Sequence, residues 1–202
     1  MRITNRPAVV TIGSVMVAGA LVLTACGGGD DAASDATRST VPAEASTAAT
    51  DVDQADVNAS DVMFAQGMIP HHSQAVELAA LALVPEREAS PDVRDLAQRV
   101  QAGQDPEIEQ MTDWLTSWDQ PIDVPAMDDM DMDGMVATAQ IDALATLSGS
   151  EFDAEWSRLM IAHHEGAIAM AKTEVTDGLN RDAISLAQDI IAAQQAEIEE
   201  LS

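Results

Sequence analysis

Cysteine occurs once in the 202 residues, and lysine and arginine together number only nine against 35 aspartates and glutamates. The lone cysteine excludes an internal disulfide framework. The formal charge of −26 makes nucleic acid and anionic lipid surfaces poor partners and cations natural ones. A solvated acidic surface accounts for most of these carboxylates, so charge alone does not define a metal site. No stretch beyond the N-terminal region alternates apolar and polar residues as a half-buried strand does. A Ser-His-Asp order, a glycine-rich phosphate loop, a reactive thiol and a Glu-x-x-His pattern are all missing, which leaves nothing to mark an enzyme. Histidine is scarce as well. There are four, in two adjacent pairs, His71-His72 and His163-His164.

The N-terminus reads as an address. Arg2 and Arg6 precede the apolar stretch Ala8 to Leu23, followed by Leu23-Thr24-Ala25-Cys26. A short positive segment, an apolar segment and small residues are the parts of a secretory signal. Their placement before Cys26 predicts a lipoprotein signal peptide over residues 1–25, lipidation at Cys26, and a lipid-anchored protein on the extracytoplasmic face of the cell membrane. An uncleaved anchor with an incidental cysteine is the alternative. The mature chain then has seven basic residues and a formal charge of −28. Residues 26–57 are mostly small and polar and cannot bury enough surface to offset chain entropy, so they are expected to form a flexible acidic tether.

The two histidine pairs lie in matching sentences, MFAQGMIPHHSQAVELA (63–79) and EWSRLMIAHHEGAIAMA (155–171), offset by 92 residues. LAQRVQAGQDPEIEQM (96–111) and LAQDIIAAQQAEIEEL (186–201) match at an offset of 90. One two-segment unit is used twice, about 58–118 and 150–202. Phe64, Met68, His71, Ala75, Leu78 and Ala82 step by helical spacing, as do Trp156, Met160, His163, Ala167 and Met170. Ile184, Ala187, Ile191, Gln194, Ile198 and Leu201 suggest the stripe of the last helix. Pro85 ends the first helix, Ser90-Pro91 starts the second and Asp177-Gly178 marks the last turn. Pro70 is expected to kink the first helix, and Pro106 to disturb the second. The prediction is an all-α domain over 58–202. Two tandem hairpins form a four-helix bundle about an approximate twofold, with a Met-rich linker at 119–137 and a short extra helix near 138–147.

The spacing sets His71 and His163 on the apolar stripes and His72 and His164 on their flanks. Met68 and Met160 precede each pair by three and four residues, so one thioether can approach either ring. Two converging Met-His-His sets are soft and neutral, suited to Cu(I) and by extension Ag(I). A histidine on an apolar helix face is otherwise a hydrogen-bonded core residue, and methionine there is ordinary packing. Two matched sets holding every histidine favour metal contact. Gln104, Glu107, Gln194 and Glu197 match across the repeat and could orient the imidazoles from behind, or the glutamates could simply be solvated. Met127, Met130, Met132 and Met135, interspersed with aspartates, form either a copper-capturing tract or a linker whose methionines dock on the helices.

The GMIPHH and LMIAHHEGAIAMA segments, each followed by LAQ and an EI-containing stretch, with a Met-rich break between, resemble the domain of unknown function 305 family over about 58–202. His71, His72, His163, His164, Met68 and Met160 all fall on that pattern. The resemblance implies a ferritin-like four-helix fold, a largely secreted family and copper binding in some members. The expected function is therefore Cu(I) sequestration or handling by a non-catalytic, membrane-anchored protein, with protein partners unspecified. A structural or interaction module with pH-sensitive core histidines is the alternative. A di-iron oxidase is disfavoured, because its Glu-x-x-His ligands are missing.

Overall fold

A computed structural model of the chain describes residues 57–123 and 133–202. The expected signal peptide, Cys26 and nearly all of the tether lie outside them, as do Met127, Met130 and Met132. The described residues form five α-helices, a single 3-10 turn at Pro85–Arg87 and no strand: α1 (Ala59–Ala82), α2 (Pro91–Ser117), α3 (Thr138–Leu144), α4 (Gly149–Asp177) and α5 (Arg181–Leu201). None is long and apolar enough to cross a membrane.

Local chemistry sets the helix ends. The Asn58 side chain accepts from the amides of Ser60 and Asp61 at 2.7 and 3.1 Å, and Asp61 reaches back to the Asn58 amide at 2.6 Å. This reciprocal arrangement satisfies amides that have no partner inside the helix. Ser90 Oγ accepts from the Val93 amide at 3.3 Å, with Pro91 in the first turn of α2. Asn180 caps α5 through the amides of Asp182 and Ala183. Both α1 and α2 run unbroken through Pro70 and Pro106.

The helices pair as α1 with α2 and α4 with α5, and α1 also packs along α4. Their apolar faces build two clusters. One holds Ala75, Leu78, Leu96, Val100, Trp156 and Met160; the other holds Phe64, Met68, Met111, Leu115, Ala171 and Ile190. Burying each large side chain stabilises the fold by about 1.5–3 kcal/mol. Trp156 Nε1 also donates to the Leu78 carbonyl at 2.9 Å, tying α4 to α1. Along every long helix the chain passes from one cluster to the other through a polar residue: His71-His72 on α1, Gln104 on α2, His163-His164 on α4 and Gln194 on α5. A polar layer thus separates two apolar halves.

The stripe expected for the last helix holds at Ala187 and Gln194 and is displaced elsewhere. Ala183, Leu186, Ala187, Ile190 and Gln194 are its buried residues, while Ile184, Ile191, Ile198 and Leu201 are half-buried. A helix nested between two neighbours buries the centre of its contact arc, and the heptad chosen from sequence ran along one edge of that arc.

A second polar knot ties the start of α1 to the α4–α5 turn. Asp61 Oδ1 accepts from the Leu179 and Asn180 amides at 2.9 and 2.8 Å, and Asn58 Nδ2 donates to the Asp177 carbonyl at 2.8 Å. Glu174 is buried beside Asp61 and accepts from Ser60 Oγ at 3.3 Å. Burial and the adjacent Asp61 carboxylate push Glu174 up to about 8, so it stays protonated and hydrogen-bonds to Asp61 at neutral pH. Asp61 itself is desolvated, but the amides of Asn58 and Asn180 more than offset this and hold it below the usual range.

Candidate metal centre

All four histidines are fully buried, at 0 % exposure. The packing of α1 on α4 brings the rings of His71 and His163 to a centroid distance of 3.8 Å, tilted by 35°. His72 and His164, expected on flanks, are as buried as the stripe pair. Each helix packs on two neighbours, so the second imidazole of each pair meets the hairpin partner. His72 Nε2 lies 2.8 Å from Glu107 Oε2 on α2 in hydrogen-bond geometry. His164 Nε2 lies 2.8 Å from Glu197 Oε2 on α5, but off the line a hydrogen bond needs. The repeat is thus visible as two matched His–Glu approaches across two hairpins.

Burial pushes His71 down to about 3, and the neighbouring imidazoles of His72 and His164 push the same way. It pushes His163 down to about 2, with His71, His164 and His72 contributing. Both rings are neutral at physiological pH, and a neutral imidazole is the form that ligates metal. Among the described residues, both ring nitrogens of His71 and of His163, Nδ1 of His72 and of His164, and Oε1 of Gln104 and of Gln194 are buried with no hydrogen-bond partner. Each such atom costs about 1–3 kcal/mol. A core that concentrates so many in one layer departs from the rule that buried polar groups are paired, and calls for a reason. An incoming cation would supply the missing partner for the ring nitrogens.

Met68 and Met160 are also fully buried, one in each apolar cluster, on the turn before each histidine pair. Met135 is half-buried. No three of His, Cys, Asp and Glu among the described residues converge as a preformed cation site.

Sequence reasoning overlooked the segment that overlies this layer. Gly134 and Gly166 meet backbone to backbone, and Gln74 holds Val136. Gly134 inside the Met-rich stretch and Gly166 just after the second histidine pair were the available signal. Asp61 and Glu174 were also missed. Asn58-x-x-Asp61 is a readable cap, whereas nothing local in the sequence marks Glu174 as buried.

Residues 61–202 match the family model described as Domain of unknown function (DUF305), and the chain belongs to that family. Solved structures agree. A DUF305 fragment from Deinococcus radiodurans is 34% identical over 72% of this chain and 94% of its own, with a TM-score of 0.65. A DUF305 protein from Streptomyces coelicolor is 30% identical over 70% and 89%, with a TM-score of 0.64. CopM in its Cu(I)-bound form is 33% identical over 70% and 91%, with a TM-score of 0.58, and CopM is also solved in Cu(II)-bound and Ag-bound forms. No curated protein is significantly similar to the chain.

Proposed function

We propose that this protein binds Cu(I), and by the same chemistry Ag(I), in the buried histidine layer of a ferritin-like four-helix bundle, and so sequesters or hands on the metal outside the cytoplasm. The observation that carries this reading is the set of neutral, fully buried imidazoles with unpartnered ring nitrogens at the α1–α4 contact. His71, His72, His163 and His164 are the nitrogen ligands, and Met68 and Met160 supply thioether sulfur. Softness of this kind favours a d10 monovalent ion over hard divalent ones. Glu107 and Glu197 orient His72 and His164 from outside the layer, and Gln104 and Gln194 complete it. The copper- and silver-bound forms of CopM, a relative in structure, support the choice of metal.

The N-terminal reading completes the proposal: cleavage of 1–25, a lipid on Cys26, and a tether over 26–57 that displays the 58–202 domain at the membrane surface. The excess of carboxylates concentrates cations around it. Within the linker 119–137, Met127, Met130, Met132 and Met135 collect metal at weaker sites.

The test is a competition titration of the purified chain against a chromophoric Cu(I) chelator under reducing conditions. Wild type should withdraw copper from the chelator, and a His71→Ala/His163→Ala variant should lose that ability. Equal competition by the two would make the histidines ordinary core residues and the protein a structural or interaction module.

A further inference from the structure

The short segment Asp133 to Val136 ends the Met-rich linker and crosses the histidine layer between α4 and α1. On the α1 side, Gln74 Nε2 donates to the Val136 carbonyl at 2.9 Å, and its Oε1 accepts from the Val136 amide at 2.7 Å. The side-chain amide thereby pairs both backbone groups of one residue, as a neighbouring strand would. Gln74 stands one turn beyond His71, and Val136 is buried.

On the α4 side the approach is backbone to backbone. A Cβ on Gly166 would overlap the Asp133 carbonyl. A Cβ on Gly134 would lie 2.7 Å from the Ala162 carbonyl and 2.9 Å from that of His163. Gly134 also has φ +84°, a conformation that glycine adopts without strain. Two glycines with no side chain, one on each surface, therefore let the segment lie directly on the helix at the level of His163. Both ends of the crossing are thus held, one by Gln74 and the other by the Gly134–Gly166 approach.

We propose that residues 133–136 are a cover over the His71–His163 pair, and that Gln74 and Gly166 are positioning residues that hold it shut and so set the rate at which a soft monovalent cation enters and leaves. The part about the cation rests on the copper-binding reading above; the part about the cover does not. With the cover down, the pair is sealed from water on that side, which accords with its complete burial. Raising it requires release of the two Gln74 hydrogen bonds and separation of Gly134 from Gly166. Loss of two such bonds shifts an opening equilibrium by roughly tenfold or more.

The experiment uses the full chain with Gln74→Leu, Gln74→Glu and Gly166→Val, each shown to be helical and cooperative in unfolding. Diethyl pyrocarbonate modifies accessible neutral imidazoles, and fragment mass spectrometry resolves the four histidines. In Gln74→Leu and Gly166→Val, modification of His71 and His163 should accelerate about tenfold or more over wild type, with His72 and His164 changed much less. Gln74→Glu keeps the acceptor for the Val136 amide and should fall between. Stopped-flow exchange of Cu(I) with a chelator should quicken in the same order, while the equilibrium affinity moves by a smaller factor. Wild-type labelling rates in both variants, or equal acceleration at all four histidines, would overturn the cover. Selective labelling in variants of a chain that competes for no Cu(I) would uphold the cover and defeat the copper reading instead.

Discussion

Glu174 is a buried acid whose ionisation the fold resists, and replacing it should make the protein more stable. Its carboxyl titrates near 8 rather than 4.5, through burial and the adjacent Asp61 carboxylate. A folded-state pKa raised in this way leaves stability intact below the unfolded value, and stability is lost as pH rises from about 4.5 through about 8. At pH 7 the difference spans about 2.5 pH units, or about 3 kcal/mol at ~1.36 kcal/mol per unit. That is an upper figure, because water near the end of the helices screens the pair. Glu174→Gln keeps the shape and a donor toward Asp61 but cannot ionise. It should match wild type at pH 4.5 and exceed it increasingly as pH rises, by up to ~6–12 °C in Tm at pH 7 for a chain of this size. Asp61, whose pKa is depressed, acts oppositely: its contribution is lost only as pH falls below about 4, outside this window. The assay is thermal unfolding followed by circular dichroism at half-unit pH steps. If the two proteins gave parallel curves from pH 4.5 to 8, or if the variant were the weaker one at pH 8, the shared-proton pair would be refuted.

Replacing Met68 and Met160 together by leucine should weaken Cu(I) binding about tenfold or more while leaving Zn(II) nearly unchanged, since thioether ligates the softer ion; parallel chelator competitions with each metal decide this. Changing Met127, Met130, Met132 and Met135 to leucine should lower the number of Cu(I) ions bound but spare the tightest site, as measured by titration to saturation. Cys26→Ser should abolish incorporation of labelled fatty acid and release the protein from the membrane fraction; unchanged labelling would rule out the lipid anchor.

Much of the helical plan was legible because it rests on local chemistry and on repetition. The 92- and 90-residue offsets announced two hairpins, and Ser90-Pro91 and Asp177-Gly178 marked helix boundaries that the structure shares. The stripe from Phe64 through Ala82 is buried at every position named. The stripe of α5 was readable only at Ala187 and Gln194, because which arc of a helix is covered depends on where its neighbours lie. For the same reason His72 and His164 could be placed on a flank by angle alone, while their burial against Glu107 and Glu197 could not be foreseen.

The site divides along the same line. Residue types and spacing determined that every imidazole comes in a matched pair with a methionine one turn earlier, which limits the chemistry to soft ligation or ordinary packing. Only the α1–α4 packing decided that His71 and His163 meet at 3.8 Å, that their nitrogens go unpartnered, and that both rings stay neutral. The contact of Gly134 with Gly166 and the pairing of Gln74 with Val136 join residues 32 and 62 apart in sequence, and the burial of Glu174 depends on Asp61, 113 residues away. Periodicity within a helix reports which face is apolar. Distances between helices, and the desolvation that follows from them, arise only when those faces close on one another.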